Sequence, residues 1–204
     1  MATRTERKAD SRRRELNPHR VLLESLLAEL FQSERSAEIH PPKEASRLGD
    51  SAPARALRAV SQHARSVRAE LRELARERDL KATEGGSKLG DLFSWARRTL
   101  SDGMMEEERS YRATLLGMRH GLDLVKLVRS TAESADDGEL AGWCTEWLSV
   151  REPLVEEVCS QLAWFGWHPE RALHHPGGIG SLLDRLLGGP RQSRPTLGSA
   201  IGSS

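Results

Sequence analysis

Aromatic side chains are scarce, at 4% of 204 residues, and hydrophobic residues of all kinds reach only 37%. Any core is therefore modest. No run of about eighteen apolar residues occurs, so no segment reads as a bilayer span. An excess of one charge is also missing: 30% of residues are charged, yet the net charge is +1. The chain as a whole thus gives no electrostatic argument for nucleic acid, and any basic patch has to be local. Cysteine is limited to Cys144 and Cys159. Fifteen residues apart on one expected helix, they stand roughly 22 Å apart and cannot bridge each other. They read as small buried hydrophobes. Met1 to Glu15 is charged throughout, with no apolar stretch of the kind a secretory signal needs, so the expectation is a cytoplasmic protein. Catalytic motifs are missing too: there is no Gly-x-Ser-x-Gly, no phosphate-binding glycine loop and no Cys-x-x-Cys.

What is present is helical periodicity. Residues 1–16 form a basic tail with little to bury, read as disordered. Asn17-Pro18 opens a first helix with Leu23, Leu26, Leu27, Leu30 and Phe31 on its seam, and Pro41-Pro42 is expected to end it. Glu34 falls on that seam, where a carboxylate is either an end charge reaching for water or a functional group. A second helix carries Leu57, Val60, Ala64, Val67, Leu71 and Leu74 at alternating three- and four-residue steps, the narrow seam of a helix in a bundle. A long connection follows, with a short amphipathic helix over 89–100.

Tyr111, Leu115, Met118, Leu122 and Val125 mark a third helix, with Leu116, Leu124, Leu127 and Val128 widening its stripe. Glu106, Glu107 and Glu108 sit in its first turn, where the helix dipole favours negative charge. After Asp136-Asp137-Gly138, the fourth helix runs from Glu139 to Trp167 with Leu140, Trp143, Cys144, Trp147, Val150, Leu154, Val158, Leu162 and Phe165 inward and a kink at Pro153. The core domain is thus 17–168, followed by a Gly-, Pro- and Ser-rich tail over 169–204 with an amphipathic piece at 179–187.

The expected fold is all-α, four helices joined by short, long and short connections. A shift of 87 residues lays the second helix over the fourth, in pattern more than identity. Arg47-Leu48-Gly49-Asp50 leading into Ala56-Leu57, Glu107-Glu108-Arg109-Ser110-Tyr111 and Asp136-Asp137-Gly138-Glu139-Leu140 carry a resemblance to the ferritin-like superfamily, within it to the YciF/YciE-type stress-associated four-helix proteins. That resemblance implies a ferritin-like four-helix bundle with a helix-bearing crossover between helices two and three. Its metal-binding members hold two iron or manganese ions with core glutamates and Glu-x-x-His motifs. No Glu-x-x-His occurs here.

A looser set remains: Glu34, His63, His120 and Glu157, able to hold one divalent ion if all four face inward at one level. Trp143, Trp164, Phe165 and Trp167 crowd one helix and suggest a homodimer interface. Ile179, Leu182, Leu183 and Leu186 form a docking segment on a flexible tether, similar to the Gly-Ser-Leu-type peptides of encapsulin cargo proteins. The sequence therefore points to a non-catalytic structural, stress-related or interaction module without cofactor, with an atypical iron- or manganese-binding protein as the alternative.

Overall fold

The computed structural model of the protein describes residues 18–79 and 106–174. The basic tail 1–16, the cap at Asn17, the helix over 89–100 and the docking segment of Ile179, Leu182, Leu183 and Leu186 lie outside those residues. Every regular element among the described residues is helical: α1 (Pro18–Leu48), α2 (Ala52–Glu77), α3 (Glu107–Ser134), α4 (Gly138–Ser160) and the short α5 (Leu162–Trp167) and α6 (Pro169–Ala172).

The turns follow local chemistry. Gly49 takes φ +68°, where an added side chain would be strained, and lets the chain reverse between α1 and α2. Ser51 caps α2 by accepting from the Ala54 amide at 3.3 Å. Between α3 and α4, Asp136 takes φ +58°, a region that aspartate tolerates better than most residues. Asp137 then caps α4 by accepting from the Leu140 amide at 3.1 Å.

The prolines at 41 and 42 do not end α1, which continues to Leu48 and buries Pro41, Glu44, Ala45 and Leu48. Pro42 has no amide to offer the carbonyl four residues back, that of Glu38. The hydroxyl of Ser61 on α2 donates to that carbonyl instead, at 3.0 Å. A tertiary hydrogen bond thus repairs the gap. Ser61 is 3% exposed, so Ser61→Ala is expected to cost roughly 1–3 kcal/mol in urea unfolding. Ser66→Ala, on the exposed face, should stay within about 0.5 kcal/mol, and equal effects would show that Glu38 needs no such donor. Proline 153 is carried inside an unbroken α4, whose own end is at Ser160 rather than Trp167.

Helix α1 packs on α2 and α3, and α4 packs on the same two. One end gathers the C-terminus of α1, the N-termini of α2 and α3, and α6, as the bonds from Arg171 to Glu107 and to the Arg47 carbonyl show. The other end gathers Arg20, Arg78 and Asp137. All four packed pairs are therefore antiparallel. Helices α2 and α3 run in the same direction without being a packed pair, so the end of α2 and the start of α3 lie at opposite ends of the bundle.

The core is divided. One apolar cluster holds Leu23–Phe31 of α1, Val67–Ala75 of α2, Leu124–Ala132 of α3 and Leu140–Leu148 of α4. The other holds Ala45 and Leu48, Ala54–Val60, Tyr111–Met118, Val155, Val158 and Phe165. On every long helix the clusters are separated by residues that are polar or small: Ser33 and Glu34, Ser61 and His63, Gly121, and Arg151. Gly121 is needed there, since a Cβ would come within 3.0 Å of Ser33 Oγ. Three residues expected on inward stripes turn outward instead: Leu116 is 58%, Leu127 48% and Val150 46% exposed.

Candidate functional site

The layer between the clusters is closed by Arg151, 2% exposed, and Glu34, 1% exposed. Arg151 Nη2 donates to Glu34 Oε2 at 2.8 Å and Arg151 Nε donates to His63 Nδ1 at 2.8 Å. A guanidinium has no acceptor, so His63 Nδ1 must be the bare nitrogen and its proton sits on Nε2. The guanidinium carbon also lies 4.6 Å from the Trp147 ring centre, in cation–π contact. Three helices are tied at one level: Glu34 from α1, His63 from α2 and Arg151 from α4.

Burial governs the electrostatics. It pushes the Glu34 carboxyl above its ordinary range, against the opposing pull of Arg151. Burial likewise lowers the Arg151 pKa, with Glu34 resisting. His63 is lowered to about 4, first by burial and then by the facing Arg151 charge. The imidazole therefore stays neutral and serves as an acceptor.

The four residues expected to converge on an ion do not do so. Glu34 and His63 share one level, bridged by the Arg151 cation. His120 faces the other side of α1, where Nε2 lies 2.9 Å from Glu29 Oε1. Glu157 is exposed and accepts from Gln161 Nε2 at 2.7 Å. Among the described residues no group of three or more histidine, cysteine, aspartate or glutamate side chains is placed to hold a metal ion. The donor set does not fit a divalent cation, because the carboxylate that reaches the centre already faces a fixed positive charge.

A second polar cluster, unforeseen from the sequence, closes the end at α6. Glu107, 1% exposed, accepts from Arg171 Nε at 3.0 Å and Arg171 Nη2 at 3.2 Å, and lies 2.9 Å from His174 Nδ1. Beside it, Ser110 Oγ donates to Glu44 Oε2 at 2.6 Å while receiving Arg47 Nη1 at 2.8 Å. Burial raises the Glu44 carboxyl pKa, the Ser110 hydrogen bond opposing it. The clue to Glu107 was its place four residues before Tyr111, on the same inward seam.

The aromatic residues separate by role. Phe165 is 3% exposed and packs against Tyr111 with ring centres 5.1 Å apart. Trp164 stacks on His168 at 4.1 Å, and Trp143 Nε1 donates to Glu70 at 3.2 Å. Trp167 alone of the four stands well out, at 82% exposure. Both cysteines are free; burial pushes the Cys144 thiol up to about 12, and Cys159 Sγ accepts from Arg119 Nη2 at 2.9 Å.

No helix among the described residues is long and apolar enough to cross a membrane. Comparison of the chain with protein-family models, with curated proteins and with solved structures finds no match. The class that fold and site define is an all-helical protein whose buried central charges are paired by its own side chains.

Proposed function

We propose that this chain is a ferritin-like four-helix bundle without catalytic activity, serving as a structural, stress-related or interaction module. The observation that carries the reading is Arg151. Metal-binding members of that superfamily line the bundle centre with carboxylates and imidazoles that meet bound cations. Here a guanidinium supplies the positive charge, with Glu34 and His63 as its ligands. The packing order and the short, long and short connections support the topology. Trp167 and Leu173, 82% and 64% exposed, support association between copies through the α5–α6 end.

Native mass spectrometry of protein purified without a histidine tag tests both parts at once. The expected spectrum is a metal-free dimer at micromolar concentration. Stoichiometric iron or manganese, lost in His120→Ala, would replace this reading with the metal-binding one. A monomer throughout the concentration range would remove the association.

A further inference from the structure

The outer edge of α2 has a composition unlike the rest of the molecule. Residues 52–69 contain Arg55, Arg58, Arg65 and Arg68 and no aspartate or glutamate, in a chain of which 30% is charged. Arg58, Arg65 and Arg72 recur at seven-residue steps, which sets them along one edge of the helix about 10.5 Å apart. All three are exposed, and the flanking Arg55 and Arg76 side chains are 63% and 73% exposed. This edge lies roughly 120° round the helix from the buried stripe of Leu57, Val60, Ala64, Val67 and Leu71.

The arginines of the line, Arg72 among them, all have partners, and Glu70, Glu73 and Glu77 follow on the same helix. Asp50 is 3.6 Å from Arg55. Glu38 is 3.4 Å from Arg65, but Arg68 is its closer partner. Glu73 is taken by Arg76, and Arg58 donates to the Gly49 carbonyl at 2.9 Å. Exposed pairs of this sort contribute little and exchange readily for another anion. Helix α4, packed against α2, exposes Glu139, Glu146, Glu152, Glu156 and Glu157, while its one cation, Arg151, is buried. A chain that is nearly neutral as a whole is thus electrically polar from one helix to the next, and its field turns α2 toward a polyanion and α4 away.

What the edge omits narrows the partner. None of the exposed large hydrophobic residues lies on α2. A membrane surface calls for apolar side chains to insert, and a protein interface for an apolar centre. A row of forked guanidinium donors without either suits phosphate oxygens. We propose that the arginine edge of α2 is a docking surface for the phosphate backbone of a nucleic acid. The contact is to backbone, so it is indifferent to sequence. This deepens the interaction-module reading and rests on it.

The test uses the full chain and fluorescence anisotropy with labelled mixed-sequence duplex DNA and single-stranded RNA. If about four phosphates are engaged, affinity falls roughly a hundredfold between about 50 and 200 mM salt. Arg58→Glu/Arg65→Glu/Arg72→Glu should weaken binding by about tenfold or more at low salt. The neutral triple Arg→Gln variant, gentler on folding, should weaken it less but in the same direction. Glu146→Lys/Glu156→Lys on α4 should not weaken it. Removing residues 2–16 takes away the basic tail and must leave the dependence on the three arginines in place.

No binding by the native chain at low salt, or equal binding by the native chain and both triple variants, overturns the proposal. So does a loss seen only on phosphatidylserine vesicles. Metal in the native mass spectrum would sink the module reading and leave the anisotropy result standing. A metal-free chain blind to both nucleic acids would sink the docking surface alone.

Discussion

Replacing Arg151 with methionine is expected to destabilise the protein by roughly 3–5 kcal/mol, because it strands a Glu34 carboxylate that is itself shut away from water. Glu34 is 1% exposed, so it has no solvent to fall back on. His63 Nδ1 loses its donor in the same step, and Trp147 loses the cation over its ring. The double variant Glu34→Leu/Arg151→Met removes both charges and should recover most of the loss, or exceed the native stability by about 1–4 kcal/mol. Urea unfolding of the two variants reads the difference. If Arg151→Met alone costs less than about 1 kcal/mol, the layer relaxes or admits water, and the view of it as a closed ion pair is wrong.

The second large effect is in acid. His63 titrates near 6.5 when unfolded and is lowered to about 4 in the fold. Its folded pKa is depressed, so its contribution is fully present above pH 6.5 and is lost as pH falls from there toward 4, where the unfolded chain takes up a proton that the folded one refuses. Allowing for its partial exposure, the loss across that window is roughly 1–3 kcal/mol. The groups facing the ring are Arg151 and Trp147. Glu34 and Glu44, both raised by burial, act with the opposite sign: their stabilisation is present at low pH and is lost as pH rises through their folded values. His63→Asn keeps an acceptor for Arg151 Nε and does not titrate. Both carboxyls remain in that variant, so subtracting its stability-against-pH curve from that of the native protein isolates the histidine. Identical slopes for the two proteins between pH 4 and 6.5 would show that the imidazole is not held neutral.

The helices were legible because their inward residues are aliphatic at helical spacing and their ends carry local chemistry, as Pro18, Gly49 and Asp137 do. The end of α1 was not legible. Pro41-Pro42 is a stop signal on any local rule, and what overrides it is a hydroxyl 19 residues further along the chain, on α2. The centre was half legible. Glu34 stood out as a carboxylate on a seam, whereas its partner was hidden by preferring the apolar Val150 over its charged neighbour. The period itself favoured Arg151, four residues after Trp147 and seven after Cys144. Similarly, Leu116 and Leu127 look like core by type but fall outside the arc that α1 and α4 cover. The link from Glu107 to Arg171 joins residues 64 apart, and no local pattern announces it.

The two prolines inside α1 also say something about the order in which the chain folds. They withdraw two backbone bonds from the helix, so its last turns gain little from growing alone. Those turns become favourable once α2 has swung back across the short reversal at residues 49–51 and brought Ser61 to the Glu38 carbonyl. Closing so short a loop is quick and entropically cheap. The first two helices are therefore expected to pair as an early kinetic unit, ahead of the long crossover to α3. On that account Ser61→Ala slows refolding more than it hastens unfolding, a division that the two arms of a stopped-flow chevron separate.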